Sequence, residues 1–178
     1  MPLFPDPEAS PRSLAERLGH VPHRGVVRWI GLRPAHEVPM RAVEEVLALV
    51  GRGLEGDRAS RTTRGGKRQV TLIQAEHLPV IAALSGRTEV TPERLRRNVV
   101  VAGINLISLR ALRFHVGPEV LLEGSGPCEP CAKMDVALGD GGFQAMRGHG
   151  GITARVLRGG RFQIGDAVWV ARDEDGVP

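Results

Sequence analysis

The pattern of apolar and polar positions predicts a fold built mainly from short strands. Runs of β-branched and aromatic residues, and strict alternation of apolar with polar residues, are both typical of strands. Such segments lie at 25–32, 68–74, 98–102, 111–116, 119–123, 152–157, 161–164 and 167–171. Gly159 and Gly160 predict a tight hairpin turn between two of them. Many short strands joined by glycine-rich turns are typical of a mostly β, barrel-like domain.

A few short helices complete the predicted fold. Four apolar residues at helical spacing predict a helix over 41–50. A second helix is expected over 75–84, and a third begins at Thr91, where threonine is a favourable cap and proline suits the first turn. Residues 51–68 are rich in glycine and arginine and are predicted to form a loop. The predicted fold class is therefore mostly β (α+β).

The two ends of the chain differ in composition from the middle. Residues 1–22 are rich in proline and charge, which predicts a disordered tail, and residues 173–178 are predicted to form a frayed acidic tail. A single domain is expected over 23–172. The sequence has neither an apolar run of about 20 residues nor a secretory signal, so we expect a cytoplasmic protein without a membrane partner.

The charge of the chain comes almost entirely from arginine. The formal net charge is +4, and Lys67 and Lys133 are the two lysines. A guanidinium matches the geometry of carboxylate and phosphate, which predicts an anionic ligand, although a compositional bias toward arginine is the competing interpretation. Aromatic residues make up 3% of the chain and no basic block is present. This scarcity of stacking side chains argues against a nucleic-acid partner.

Two cysteines, Cys128 and Cys131, form a C-x-x-C motif. Two are too few for a disulfide scaffold, and a zinc site would need more ligands than this motif offers. The preceding sequence lacks the βαβ context of a thioredoxin-like motif. Cys131 follows Pro130 in a segment rich in glycine and proline, which favours a functional thiol over an inert buried one.

Several sequence blocks share the order and spacing of one known domain. They are G-L-E-G-D at 53–57, R-Q-V-T-L-I at 68–73, L-R-R-N-V-V-V-A-G at 95–103, G-P-C-E-P-C at 126–131 and A-M-R-G-H-G-G-I at 145–152, followed by Gly165 and Asp166. Together they resemble the MOSC domain, the C-terminal domain of molybdenum cofactor sulfurases, over roughly residues 26–170. The resemblance implies a MOSC-type β-barrel-like fold that handles a molybdopterin-type cofactor.

The resemblance also implies a set of site residues. Cys131 matches the family's cysteine, which either accepts sulfur as a persulfide or ligates molybdenum. The residues expected to hold the phosphate and pterin of the cofactor are Asp57, Arg68, Arg96, Asn98, Arg147, Gly150 and Gly151. Nearby positive charge would favour a thiolate or persulfide at Cys131. The competing interpretations give Asp57, Asn98 and the glycine pair ordinary roles in turns and junctions.

Two further residues are secondary candidates. Cys128 is either a resolving thiol that attacks a persulfidated or oxidised Cys131, or an incidental small residue. His149 is a possible proton donor near neutral pH, although a histidine beside glycines is more often simply exposed.

The resemblance implies a protein that binds molybdenum–molybdopterin, carries sulfur to it as a cysteine persulfide, or does both. Its expected partner is a cysteine desulfurase, which would hold any pyridoxal phosphate, or a protein that handles the molybdenum cofactor. One alternative is a molybdenum-dependent reductase of N-hydroxylated compounds with an electron-donor protein. The other is a noncatalytic module that senses redox state by switching between dithiol and disulfide.

Overall fold

Seven strands close into a barrel in the computed structural model, which describes residues 12–62 and 65–172. The strands along the chain are β1 (Gly25–Leu32), β2 (Arg41–Val43), β3 (Glu45–Leu49), β4 (Gly53–Leu54), β5 (Val70–Gln74), β6 (Val99–Ala102), β7 (Arg113–Val116), β8 (Val120–Pro127), β9 (Ile152–Arg158), β10 (Gly160–Gln163) and β11 (Ala167–Val170). The order around the barrel is β11-β7-β8-β9-β5-β6-β1, and pairing of β1 with β11 closes it. Strand β2 extends β1, and β10-β3-β4 form a second small sheet.

The helices are short. They are α1 (Leu14–Gly19), α2 (Arg58–Thr62), α3 (His77–Leu84), α4 (Pro92–Leu95), α5 (Lys133–Leu138) and α6 (Gly142–Met146), with a 3-10 turn at Leu106–Leu109. Helices α3, α4, α5 and α6 supply buried side chains that pack together in a second core. The barrel strands pair antiparallel except β5 with β6, which are parallel. Parallel neighbours need a crossover connection, and α3 and α4 provide it.

Strands β5 and β6 are buried on both faces. Leu72 and Val99 belong to the main core, while Ile73 and Val100 pack in a second core with residues of α3, α5 and α6. Complete burial of such a side chain contributes about 1.5–3 kcal/mol. The second core therefore fixes α5, and the segment that leads into it, against the outside of the barrel.

The predicted mostly β, barrel-like fold is confirmed, but the helix predicted over 41–50 is wrong. This stretch forms β2 and β3. Burial along β3 has a period of two, with Val46 and Ala48 buried, and Val46 pairs with Phe162 of β10. The pairing partner lies more than a hundred residues away, so nothing in the local spacing distinguishes this strand from a helix.

The hairpin turn predicted at Gly159–Gly160 is also wrong. Strand β9 pairs with β5 and β8, whereas β10 pairs with β3. Gly160, with φ +152°, lies where the chain passes from the barrel into the second sheet. The stretch 51–62, predicted as part of a loop, contains β4 and α2.

The predicted N-terminal tail falls partly within the described residues, because residues 1–11 lie outside them. The predicted C-terminal tail, residues 173–178, lies wholly outside them. The described part of the predicted N-terminal tail includes the helix Leu14–Gly19, which begins with a reciprocal capping box between Ser13 and Glu16. None of its residues is buried. In the described parts of the chain, no helix has the length and apolar character needed to cross a membrane.

Candidate functional site

A cavity of about 860 Å³ lies beside the segment Cys128–Cys131, here called the cysteine segment. Its walls come from the end of β1, helix α2, strand β5, the turn between α4 and β6, the cysteine segment and α5. Six lining side chains are cationic: Arg33, Arg58, Arg68, Arg96, Arg97 and Lys133. The carboxylates among the lining residues are Glu37 and Glu129, so positive charge dominates the cavity.

The cations are close enough to affect one another. Burial lowers the pKa of Arg96, and the charges of Arg33 and Arg58 lower it further. The pKa of Arg97 is also lowered, first by burial and then by the charges of Arg33 and Arg68, while the two cysteines oppose this change. Clustered like charges in a concave surface create a strong positive potential. The cavity therefore favours an anionic ligand.

The cavity cations differ in whether they have a partner among the described residues. Lys133 lies 3.3 Å from Glu37, and Arg96 donates to the carbonyl oxygen of Val38 at 2.9 Å. Among the described residues, the guanidinium groups of Arg58 and Arg68 make neither a hydrogen bond nor an ion pair. Free guanidinium donors beside a cavity suit the oxygens of phosphate or carboxylate, which they can bind in a bidentate manner.

Arg97 holds the cysteine segment in place. Its side chain is buried and donates to the carbonyl oxygens of Gly150 at 2.8 Å, Leu95 at 2.8 Å and Cys128 at 3.5 Å. The amide of Cys128 donates to the carbonyl oxygen of Gly151 at 2.9 Å. A Cβ atom at Gly150 would overlap the Cys128 carbonyl oxygen. Gly150 thus allows close packing against the cysteine segment, Gly151 allows close packing against the backbone of β5, and neither glycine lines the cavity.

Both cysteines are free thiols that line the cavity, but they differ in exposure. Cys131 is exposed, whereas Cys128 is half-buried. Cys131 precedes α5, and its carbonyl oxygen accepts from the amide of Met134 at 2.8 Å. The arrangement presents one accessible thiol at the opening of the cavity and a second thiol beside the buried Arg97.

Asp57 and Asn98 lie behind the cavity in a buried network and do not line it. Asp57 accepts from the Arg33 side chain at 2.9 and 3.0 Å, and from Asn98 Nδ2 at 2.8 Å. Asn98 also donates to Gly31 and accepts from Thr71 and Arg33. Their polar groups are satisfied within the protein, so these two residues position Arg33 at the cavity wall.

The ionisation of Asp57 follows from this network. Burial acts to raise its pKa, but the hydrogen bonds and charge of Arg33, together with the backbone amides of Arg33 and Ala59, lower the pKa below its ordinary value. The carboxylate is therefore charged at neutral pH and forms a buried ion pair with Arg33.

Two predicted site residues lie away from the cavity. The Arg147 side chain is exposed and donates to Gln144 at 3.3 Å. His149 packs edge-to-face on His77, with ring centroids 5.2 Å apart, and the Nδ1 atoms of both rings are buried with no hydrogen-bond partner among the described residues. The structure thus brings together Arg68, Arg96, Cys128 and Cys131. It adds Arg33, which nothing in the local sequence distinguishes from other arginines.

The histidine pair predicts a pH dependence of stability. Burial lowers the pKa of His77, and the charge of His149 lowers it further. Below the unfolded pKa of about 6.5 the unfolded chain takes up a proton that the folded chain does not, so stability should fall as the solution becomes acidic. We expect His77→Asn to reduce the slope of the free energy of unfolding between neutral and mildly acidic pH, measured by urea denaturation. The exposed His20 is a matched control, and an equal change in His20→Asn would contradict the prediction.

The fold and site define a small closed β-barrel with an arginine-lined cavity and an exposed cysteine at its opening. The MOSC domain family matches residues 59–169, which is more than half of the chain, and the chain belongs to this family. A search of the curated proteins finds no match to this sequence.

Solved structures show the same fold at low sequence identity. YuaD from Bacillus subtilis is 21% identical with a TM-score of 0.71, and the alignment covers 84% of this chain and 97% of that one. YiiM from Escherichia coli is 20% identical with a TM-score of 0.63, covering 83% of this chain and 70% of that one. YiiM from Geobacillus stearothermophilus is 19% identical with a TM-score of 0.59, covering 85% and 76%.

Proposed function

We propose that the cavity binds the phosphate and pterin of a molybdopterin-type cofactor as a substrate and that Cys131 carries sulfur to it as a persulfide. The observation that carries this proposal is the placement of an exposed free thiol in the wall of a cavity whose lining includes Arg58 and Arg68, two arginines with no ion-pair partner among the described residues. Binding of an anionic cofactor accounts for the positive charge of the cavity, and sulfur carriage accounts for the exposed thiol of Cys131.

The residues present fit such a ligand. A cavity of about 860 Å³ has the size of ordinary small-molecule sites. Arg58 and Arg68 offer free donors for a phosphate, and the chain supplies one exposed soft thiol. In the described parts of the chain, no group of three or more His, Cys, Asp or Glu side chains could hold a metal. The cofactor, when bound, supplies the molybdenum and the rest of its ligands.

Sulfur transfer to Cys131 needs no added oxidant. The Cys131 Sγ atom loses its proton and attacks the outer sulfur of a persulfide on the donor protein. A new sulfur–sulfur bond forms at Cys131 while the donor's own bond breaks, and the donor leaves as a thiol. The exposed position of Cys131 allows a donor protein to reach it.

Cofactor binding is tested by comparing two single arginine substitutions. We expect Arg68→Gln to weaken retention of molybdopterin by about tenfold or more, because a charged hydrogen bond contributes about 1.5–3 kcal/mol. Bound pterin is measured by the fluorescence of its oxidised form, and molybdenum by elemental analysis. Arg52→Gln is the control, since Arg52 is exposed in the same part of the chain but does not line the cavity. Equal losses in the two variants would indicate nonspecific attraction and contradict the proposed site.

Sulfur carriage is tested separately. We expect Cys128→Ser, which leaves Cys131 as the one cysteine of the chain, to gain the mass of one sulfur atom from a persulfide donor, and Cys131→Ala to gain none. Failure of Cys128→Ser to gain sulfur would contradict this half of the proposal. Molybdenum that stays bound to wild type, is lost from Cys131→Ala and supports reduction of an N-hydroxylated compound would instead favour the reductase alternative.

A further inference from the structure

We propose that Cys128 releases sulfur from a Cys131 persulfide as sulfide, by closing a Cys128–Cys131 disulfide. The inference rests on the proposed function, since it requires a persulfide at Cys131. It goes further by making the C-x-x-C motif a sulfur-releasing dithiol and by requiring a dithiol reductant as a further partner.

The first argument is the different placement of the two thiols along one cavity wall. The exposed Cys131 can meet a protein donor, whereas Cys128 is half-buried and its backbone is held on both sides. Its amide donates to Gly151, and its carbonyl oxygen accepts from Arg97. Cys128 is thus the fixed thiol and Cys131 the accessible one, with Glu129 and Pro130 between them. This placement suits an exchange in which Cys131 receives sulfur from a donor protein and Cys128 then attacks Cys131.

The second argument is the unusual charge balance of Arg97. Its buried guanidinium donates to three carbonyl oxygens, and no carboxylate of the described residues accepts from it. The ionisable groups that favour its charged form are the two cysteines, Cys128 more strongly than Cys131. A buried cation is stabilised when negative charge develops next to it. Arg97 can therefore stabilise the charge that moves between the sulfur atoms during the exchange.

The exchange balances without an external oxidant. Cys128 Sγ loses its proton and attacks Cys131 Sγ, the inner sulfur of the persulfide. The bond between the two cysteine sulfurs forms as the bond to the outer sulfur breaks, and the outer sulfur leaves as HS⁻. The two cysteines are oxidised to a disulfide, and the outer sulfur is reduced to sulfide. A dithiol reductant must then restore the two thiols before the next cycle.

The test is a single loading experiment without oxygen or reductant. Wild type and Cys128→Ser are loaded with inorganic polysulfide, freed of the reagent by rapid desalting, and followed by intact mass and by the sulfide released. We expect wild type to end as the disulfide, which is two hydrogen atoms lighter than the dithiol. Wild-type persulfide that remains after desalting should release one equivalent of sulfide as the disulfide closes. Cys128→Ser should keep the added sulfur atom and release none.

The outcomes separate this inference from the proposed function. A wild-type persulfide as long-lived as that of Cys128→Ser would overturn the release step and leave Cys131 as a carrier. Failure of both proteins to take up sulfur would overturn both proposals.

We also expect Arg97→Gln to slow release by about tenfold or more, whereas Arg94→Gln, on the exposed side of α4, should not. Equal rates in these two variants would remove Arg97 from the step.

Discussion

Replacing Asp57 by asparagine should lower the free energy of unfolding by about 3–5 kcal/mol, the usual cost of removing one partner from a buried ion pair. Asp57 is 1% exposed, and the Arg33 side chain that it neutralises is 15% exposed. An amide at this position would retain the shape of the side chain but would present N–H groups to donors on Arg33 and Asn98. The loss is measured from urea denaturation followed by circular dichroism at neutral pH.

Glu55 provides the matched control for this substitution. It lies two residues away in the same turn, and its side chain is exposed. Glu55→Gln makes the same chemical change without breaking a buried pair, so its effect should stay within about 0.5 kcal/mol. If the two variants lost equal stability, the buried network would not be the reason, and the assignment of Asp57 to a positioning role would fail.

The Asp57→Asn variant should also differ from wild type in the pH dependence of its stability. Because the pKa of Asp57 is lower in the folded protein than its unfolded value of about 3.9, its contribution to stability is complete above that value. The contribution is lost as the pH falls through the folded pKa, since the carboxylate must then take up a proton. Wild type should therefore lose stability more steeply than Asp57→Asn as the pH falls below about 4.

The strands were predictable wherever burial is visible in the local pattern. Strand β1 was predicted over 25–32 and forms at Gly25–Leu32, because its apolar run faces both the core and the outer helices. Strand β3 was missed because its order depends on β10, which no local spacing reveals. The sequence pattern therefore identifies strands with a long apolar run, but not strands whose conformation depends on pairing with a segment far away in the sequence.

The sequence predicted the chemistry of the site better than it predicted which residues form the site. The cysteine motif and the arginine content indicated a thiol beside an anionic ligand, and the cavity brings Cys131 and Arg68 together. Arg96 and Arg97 are adjacent in sequence, yet they have different surroundings. Arg96 adopts a left-handed backbone conformation, with φ +55°, and donates to the loop after β1, whereas Arg97 is buried against the cysteine segment. Such a turn depends on tertiary packing, so a block match alone cannot distinguish the two roles.

Substituting alanine for Gly150 should displace the cysteine segment. The added Cβ atom would overlap the carbonyl oxygen of Cys128, which is backbone and cannot rotate away. Forcing an atom into a packed position costs about 1–3 kcal/mol, and relief requires the cysteine segment to move away from Arg97. We expect alkylation of Cys128 by iodoacetamide to become about tenfold faster, which corresponds to about 1.4 kcal/mol of lost local protection.

Gly148→Ala distinguishes displacement from general destabilisation. Gly148 has φ +77°, so alanine there is strained by about 1–2 kcal/mol, but no atom lies within 4 Å of the added Cβ. The two variants should therefore lose similar stability, while the reactivity of Cys128 should rise only in Gly150→Ala. Peptide mass spectrometry measures the two cysteines separately, and a parallel rise in Gly148→Ala would mean that loosening of the fold, not the Gly150 contact, controls the thiol. A rise confined to Gly150→Ala would show that Gly150 shapes the site through the backbone of the cysteine segment.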